Sequence, residues 1–214
     1  MRFFRSPTTA FVAPYAAFMA LMAAAGLLPP AVRPWSYVGQ IVLCGALIIG
    51  YWRFYKIRMP VRWGFTLSVA ILVLVLWIFL RLPSNETGFD PSIFRGNPLL
   101  FYSVVGVRFI RLTIIVGFVE EIFWRGFLLR FLVKDDFESV PPGTFTWLSF
   151  LVVTAGFCLE HGFADYPAAI LSGALFNLVY YRTRSLGSCI LAHAVANFLL
   201  GIYIMRTGQW GFWQ

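Results

Sequence analysis

The chain has 214 residues and a formal net charge of +8, yet only 12% of it is charged while 60% is hydrophobic and 19% aromatic. An ordinary soluble domain carries about 25% charged residues, and the chain holds no zinc-finger spacing, Gly-rich phosphate loop or soluble basic patch, so nucleic acid is excluded as the partner of its basic balance. Several long apolar runs instead predict an all-α fold, a polytopic transmembrane helical bundle of about seven membrane helices, or eight if one of them splits.

In chain order, residues 11–28 form the first predicted helix, stopped by Pro29 and Pro30. Arg2 and Arg5 in front of it mimic a signal peptide, but the run outlasts a usual h-region and no soluble domain follows, so the span is expected to stay. The second helix covers roughly 37–51, a basic connection follows with Arg53, Lys56, Arg58 and Arg62, and the third helix is 63–80. Residues 81–98 are the longest polar stretch and read as an exposed loop. Asn85 and Thr87 within it match the short glycosylation pattern, which carries no weight.

The fourth element starts near Leu99 or Phe101 and runs to about Leu132, too long for a bilayer of about 30 Å unless it tilts, bends or projects. The fifth covers 145–161 and the sixth 168–181. The sixth is short for a full crossing and is expected to be tilted, re-entrant or set in a thinned site. The seventh runs 188–204, and Trp210 and Trp213 follow in an interfacial tail. Cys44, Cys158 and Cys189 lie far apart in apolar stretches and read as small buried hydrophobes, not as a disulfide framework. The whole chain, 1–214, is read as one integral membrane domain.

Charge sets the expected topology. With the amino terminus inside and every segment crossing, Arg2, Arg5, Arg53, Lys56, Arg58, Arg62, Arg125, Arg130, Lys134, Arg182 and Arg184 fall inside. Arg33, Arg81, Arg95 and Arg206 fall outside, and Arg108 and Arg111 stay within the fourth element. This bias predicts a cytoplasmic amino terminus and an outer carboxyl terminus in a bacterial plasma (inner) membrane. Arg108 and Arg111, three apart, are read first as a structural or snorkelling pair.

Adjacent carboxylates inside an apolar segment need a reason, because an ionised side chain in hydrocarbon is costly. Glu121 and Arg125 are four apart and can pair on one helix face, while Glu120 is rotated away by about a third of a turn. That divides the pair into one structural and one reactive carboxylate, though spacing alone leaves either as the reactive one. His161 and His193 are the two histidines, and Asn197 lies four residues after His193 on the same predicted helix. Two chemistries suit the set. A Glu and a His can activate water as general base while the other His and Asn steady the oxyanion. Alternatively, two His and a Glu can hold a divalent metal such as zinc, with its bound water as nucleophile, although no His-Glu-x-x-His helix is present.

These residues strongly resemble the CAAX prenyl protease and bacteriocin-processing (CPBP) family of intramembrane peptidases. The first family motif, Glu-Glu-x-x-x-Arg, stands here as Glu120, Glu121 and Arg125. The second, Phe-x-x-x-His, stands as Phe157 and His161, and the third, His-x-x-x-Asn, as His193 and Asn197. The resemblance covers about residues 100–202, which makes 99–205 the expected catalytic core and 1–98 an amino-terminal set of helices and a loop. It implies a membrane-embedded endopeptidase, glutamate-dependent or metallo-dependent, whose site opens towards the cytosol. By motif position, Glu120 and His161 activate water, His193 and Asn197 polarise the scissile carbonyl, and Arg125 with Glu121 supports the first motif. The implied partners are a membrane protein or peptide substrate and the lipid bilayer. A narrower likeness, to members found beside exosortase systems, would add a protein-sorting partner. The alternatives are an inactive scaffold or immunity protein and, further off, a proton-coupled carrier.

Overall fold

The computed structural model describes residues 6–29, 31–84 and 89–213. Met1 to Arg5, Pro30, and the Asn85 to Thr87 pattern lie outside the described residues. Within them the chain is helical, with no strand. Seven main helices follow one another: α1 (Pro7–Gly26), α2 (Arg33–Gly50), α3 (Trp63–Leu80), α4 (Pro98–Phe131), α5 (Trp147–Leu159), α6 (Tyr166–Thr183) and α7 (Leu186–Thr207).

Local chemistry sets the ends. Ser6, Asn97, Thr146 and Ser185 each cap a helix by accepting a backbone N–H with the side-chain oxygen. Gly208 closes α7 at φ 69°, a left-handed conformation that costs glycine little. Four helices, α1, α3, α4 and α7, are long and apolar enough to cross a membrane. Of the other three, α5 is apolar but has 13 residues, whereas α2 and α6 have the length and carry more polar groups, among them Gln40 and Asn177.

Two expectations about length change. The second helix begins at Arg33, because Pro34 in its first turn starts a helix without needing an N–H partner. The sixth has 18 residues, not about 14: Pro167 likewise serves its first turn, and it runs on to Arg184, whose left-handed backbone ends it. The sixth helix is therefore not unusually short.

The fourth element is continuous over 34 residues, but it is not one uniform α-helix. Wide π-type turns occupy Arg111–Val116 and Ile122–Leu128, and a five-residue α stretch, Gly117–Glu121, lies between them. Such turns re-phase a helix and are common at functional sites.

Contacts show that the helices alternate in direction. At one end, Ser185 Oγ donates to the carbonyls of Arg58 (3.4 Å) and Met59 (3.3 Å), and the Phe11 and Phe137 rings meet. At the other, Leu82 N–H donates to Ala164 O, Phe89 N–H donates to Trp213 O, and Arg81 pairs with Asp165 at 3.1 Å. The connections after α2, α4 and α6 thus gather at the first end, and those after α3, α5 and α7 at the second. One basic residue leaves the inner tally: Arg125 is fully buried within the bundle because Glu121 draws it inward. The tail is not merely interfacial either. Trp213 is buried against Val105 and Ile204, with its ring 5.3 Å from the Arg108 guanidinium.

Candidate active site

The α stretch Gly117–Glu121 points both carboxylates inward, and they part company there. Glu121 Oε1 accepts from Arg125 Nη1 at 3.0 Å and from His193 Nδ1 at 2.8 Å. Arg125 is then used completely: Nε donates to Asn177 Oδ1 at 3.0 Å and Nη2 to the Gly173 carbonyl at 2.9 Å. The rings of Phe157 and Phe176 stand 4.9 and 5.4 Å from the guanidinium carbon. A buried ion pair survives only when geometry and further hydrogen bonds repay its desolvation, and this one has both. Glu121 and Arg125 form a buried polar knot that pins α4 to α6 and α7, with Glu121 Oε2 left without a partner among the described residues.

Glu120 stays out of that knot. It lines a cavity of about 200 Å³ together with His161, His193, Asn197, Glu160 and Arg111. Among the described residues its buried Oε2 meets no hydrogen-bond donor; it lies 3.9 Å from His193 Nε2, and the Glu160 carboxyl stands within interaction distance of Glu120. The two histidines, 32 residues apart in sequence, meet this one cavity. The short α5 ends at Leu159 and turns His161 back into the bundle, and the Phe157 ring stands 5.0 Å from His161 and 6.1 Å from His193.

Hydrogen-bond partners fix what each imidazole presents. The Phe157 carbonyl can only accept, so His161 carries its proton on Nδ1 (2.8 Å) and Nε2 offers a lone pair. Glu121 does the same for His193, leaving Nε2 to face Glu120. The Phe176 ring, 4.8 Å away and 16° from parallel, holds the His193 plane. Asn197 Nδ2 donates to the Leu112 carbonyl at 2.9 Å within the first π-type turn.

Two groups outside the expected set complete the cavity. Glu160 accepts from Tyr15 Oη at 2.6 Å and from Trp124 Nε1 at 3.2 Å, which ties α1 and α4 to the end of α5. Glu160 stands out in the sequence as a carboxylate beside His161, but nothing there links it to Tyr15, 145 positions away. Arg111 shares the cavity wall; it donates to Gln40 and Met22, its Nη1 has no partner among the described residues, and the Phe18 and Tyr37 rings flank it. Arg108 donates to Tyr37 Oη at 2.6 Å.

The same geometry tests the metal reading. Among the described residues no three His, Cys, Asp or Glu side chains converge as ligands. His193 Nε2 and Glu120 Oε2 stand 3.9 Å apart, wider than the roughly 3.4 Å between two ligands of a tetrahedral zinc bound at about 2.0–2.2 Å, and no third ligand joins them among the described residues, so the side chains as arranged do not assemble a zinc ligand set.

The cavity reaches Gly162, Asp165, Phe212 and Trp213. It therefore extends to the end of the bundle opposite the basic connections.

Comparison with known proteins bears out the resemblance carried by the three motifs. Residues 102–199 match the family described as Rce1-like, type II CAAX prenyl endopeptidase Rce1-like. The UPF0177 protein YaiH of Lactococcus lactis subsp. lactis (strain IL1403) is 25% identical over 190 residues, covering 82% of this chain and 74% of that protein. The UPF0177 protein in the abiGi 5' region of Lactococcus lactis subsp. cremoris is 26% identical over 188 residues, covering 81% and 75%. No solved structure matches significantly.

Proposed function

We propose that this chain, Rce1-like over residues 102–199, is an intramembrane endopeptidase that hydrolyses a peptide bond with a water activated by Glu120. One observation carries the reading. Glu120, His161, His193 and Asn197 share a single cavity, while Glu121 and Arg125 are closed off behind it. That separation supports Glu120 as the reactive carboxylate.

The roles follow from the free atoms. Glu120 takes a proton from water, and the hydroxide formed attacks the scissile carbonyl carbon. His161 Nε2 accepts the other water proton as a hydrogen bond and so orients the nucleophile. The oxyanion is met by the second amide hydrogen of Asn197 and by His193 Nε2 when that atom carries a proton. Glu120 then passes its proton to the leaving amine as the C–N bond breaks, and the cycle balances. Glu121 holds His193 in register, and Arg125 holds Glu121. The substrate is a membrane protein or peptide whose scissile bond reaches the cavity between α4, α5 and α7.

The test is cleavage of a membrane-peptide library by the protein reconstituted in lipid, read by mass spectrometry. Glu120→Gln should lower the rate by about 10²- to 10⁴-fold, the range for a general base, while wild type keeps its rate under a strong chelator. Equal product profiles for mutant and wild type would remove Glu120 from the mechanism. Loss of activity in chelator with recovery on adding zinc would replace it with metal-assisted hydrolysis.

A further inference from the structure

A second cavity, of about 210 Å³, lies at the other end of the bundle. Its walls include Lys56, Arg58, Arg130 and Arg184 and a single carboxylate, Glu138, which leaves three positive charges in excess. Lys56 Nζ is 3.9 Å from Glu138, a long and exposed pairing. Arg130 spends its guanidinium on the carbonyls of Val140, Gly126 and Glu138 at 3.0–3.3 Å, so its position is fixed and its charge is not neutralised. Among the described residues no carboxylate stands within ion-pair distance of Arg58, Arg130 or Arg184.

Lys56 and Arg184 close helical segments at left-handed φ values of 47° and 52°, a cap conformation that glycine adopts more readily and that Arg62, outside the cavity, shares at 50°.

The surroundings say what kind of anion fits. The floor is apolar and aromatic, with Phe11, Phe54, Tyr55 and Leu186. Trp52, Met59 and Trp63 are exposed on the same connection, where tryptophan marks the membrane–water interface. A basic pocket between helices at that depth meets lipid phosphates. We infer that this cavity is a binding site for the phosphate headgroup of an anionic phospholipid, with Arg130 as its fixed cation and Lys56, Arg58 and Arg184 as its movable ones. The inference is independent of the peptidase reading.

The experiment uses full-length protein in nanodiscs of phosphatidylcholine with and without phosphatidylglycerol, with retained lipid counted by native mass spectrometry and Tm followed by thermal shift. The expected result is selective retention of phosphatidylglycerol and a higher Tm. In the triple variant Lys56→Gln, Arg58→Gln, Arg184→Gln, affinity should fall on the order of 100-fold, at about 1 kcal/mol per basic residue. All three side chains are exposed, so folding should survive. Arg95→Gln with Arg206→Gln, exposed at the opposite end, should leave retention unchanged. Equal retention by wild type and triple variant would overturn the site. So would equal loss in the Arg95, Arg206 control, which would mean general charge attraction. An identical Tm rise from inorganic phosphate in pure phosphatidylcholine would overturn the lipid source in favour of a free anion.

Discussion

Glu121 and Arg125 show how one buried residue can be essential without touching substrate. Arg125 makes three hydrogen bonds that a lysine cannot reproduce, because its planar fork reaches Glu121, Asn177 and the Gly173 carbonyl together. Removing it strands Glu121 in a site with no exposure. Arg125→Ala should therefore destabilise the fold by about 3–5 kcal/mol, read as a lower unfolding midpoint in mild detergent. Unfolding at the wild-type midpoint would show that the knot is not structural. Tyr15→Phe asks a different question, since it deletes only the hydroxyl that holds Glu160 at 2.6 Å. A hydrogen bond to a charged acceptor is worth about 1.5–3 kcal/mol. The expected outcome is a reduced kcat for peptide cleavage with the unfolding midpoint lowered by no more than that amount. An unchanged kcat would make the Tyr15–Glu160 contact purely a packing device. The pairing of Glu121 with Arg125 was legible in the sequence from their four-residue spacing. The Tyr15–Glu160 bond was not, because its partners meet only when α1 packs against α4 and α5.

At the scale of elements, the long fourth segment carries most of the design. Its length, its carboxylate pair and its exclusion from a simple perpendicular crossing could all be read from hydropathy and spacing. The π-type turns on either side of Gly117–Glu121 could not, since nothing in a run such as Arg111–Val116 distinguishes one extra residue per turn from an ordinary helix. The sixth helix went wrong for a plainer reason. Tyr166, Arg182 and Thr183 look like turn residues, yet a proline in the first turn and a left-handed cap outside extend the helix to both. Close approach between elements gives a sharper test than any boundary. A Cβ on Gly156 of α5 would stand 2.7 Å from the Trp124 indole, the same ring whose N–H donates to Glu160. Gly156→Ala should push that ring, cost about 1–3 kcal/mol in unfolding free energy and slow cleavage through the displaced Glu160. Wild-type stability and rate in this variant would show that α5 can retreat from α4 without consequence.

On the scale of the whole molecule, two ends of one bundle have been given opposite characters. One gathers Lys56, Arg58, Arg130 and Arg184 around a cavity, and the other receives Gly162, Asp165, Phe212 and Trp213 at the reach of the candidate catalytic cavity. The positive-inside rule assigns the first end to the cytoplasm, whereas the family resemblance implies a catalytic site open to the cytosol. The alternation of helix directions makes these two assignments mutually exclusive, because the connections after α3, α5 and α7 all stand at the second end. Charge is the stronger argument here: the basic residues lie on short connections next to membrane helices, where the rule has most force. Substrate would then approach from the outer side. The decision needs only exposed single cysteines, because Cys44, Cys158 and Cys189 are all buried and give little background. Phe163, 71% exposed between α5 and α6, and Met59, 78% exposed between α2 and α3, mark the two ends. In intact cells a membrane-impermeant maleimide should label Phe163→Cys and spare Met59→Cys until the membrane is opened. The reverse pattern would put the catalytic cavity on the cytosolic side and make the basic end a departure from the charge rule. In that case the anionic-lipid pocket would belong to the outer leaflet, and the excess of cations would be explained by lipid binding instead of topology.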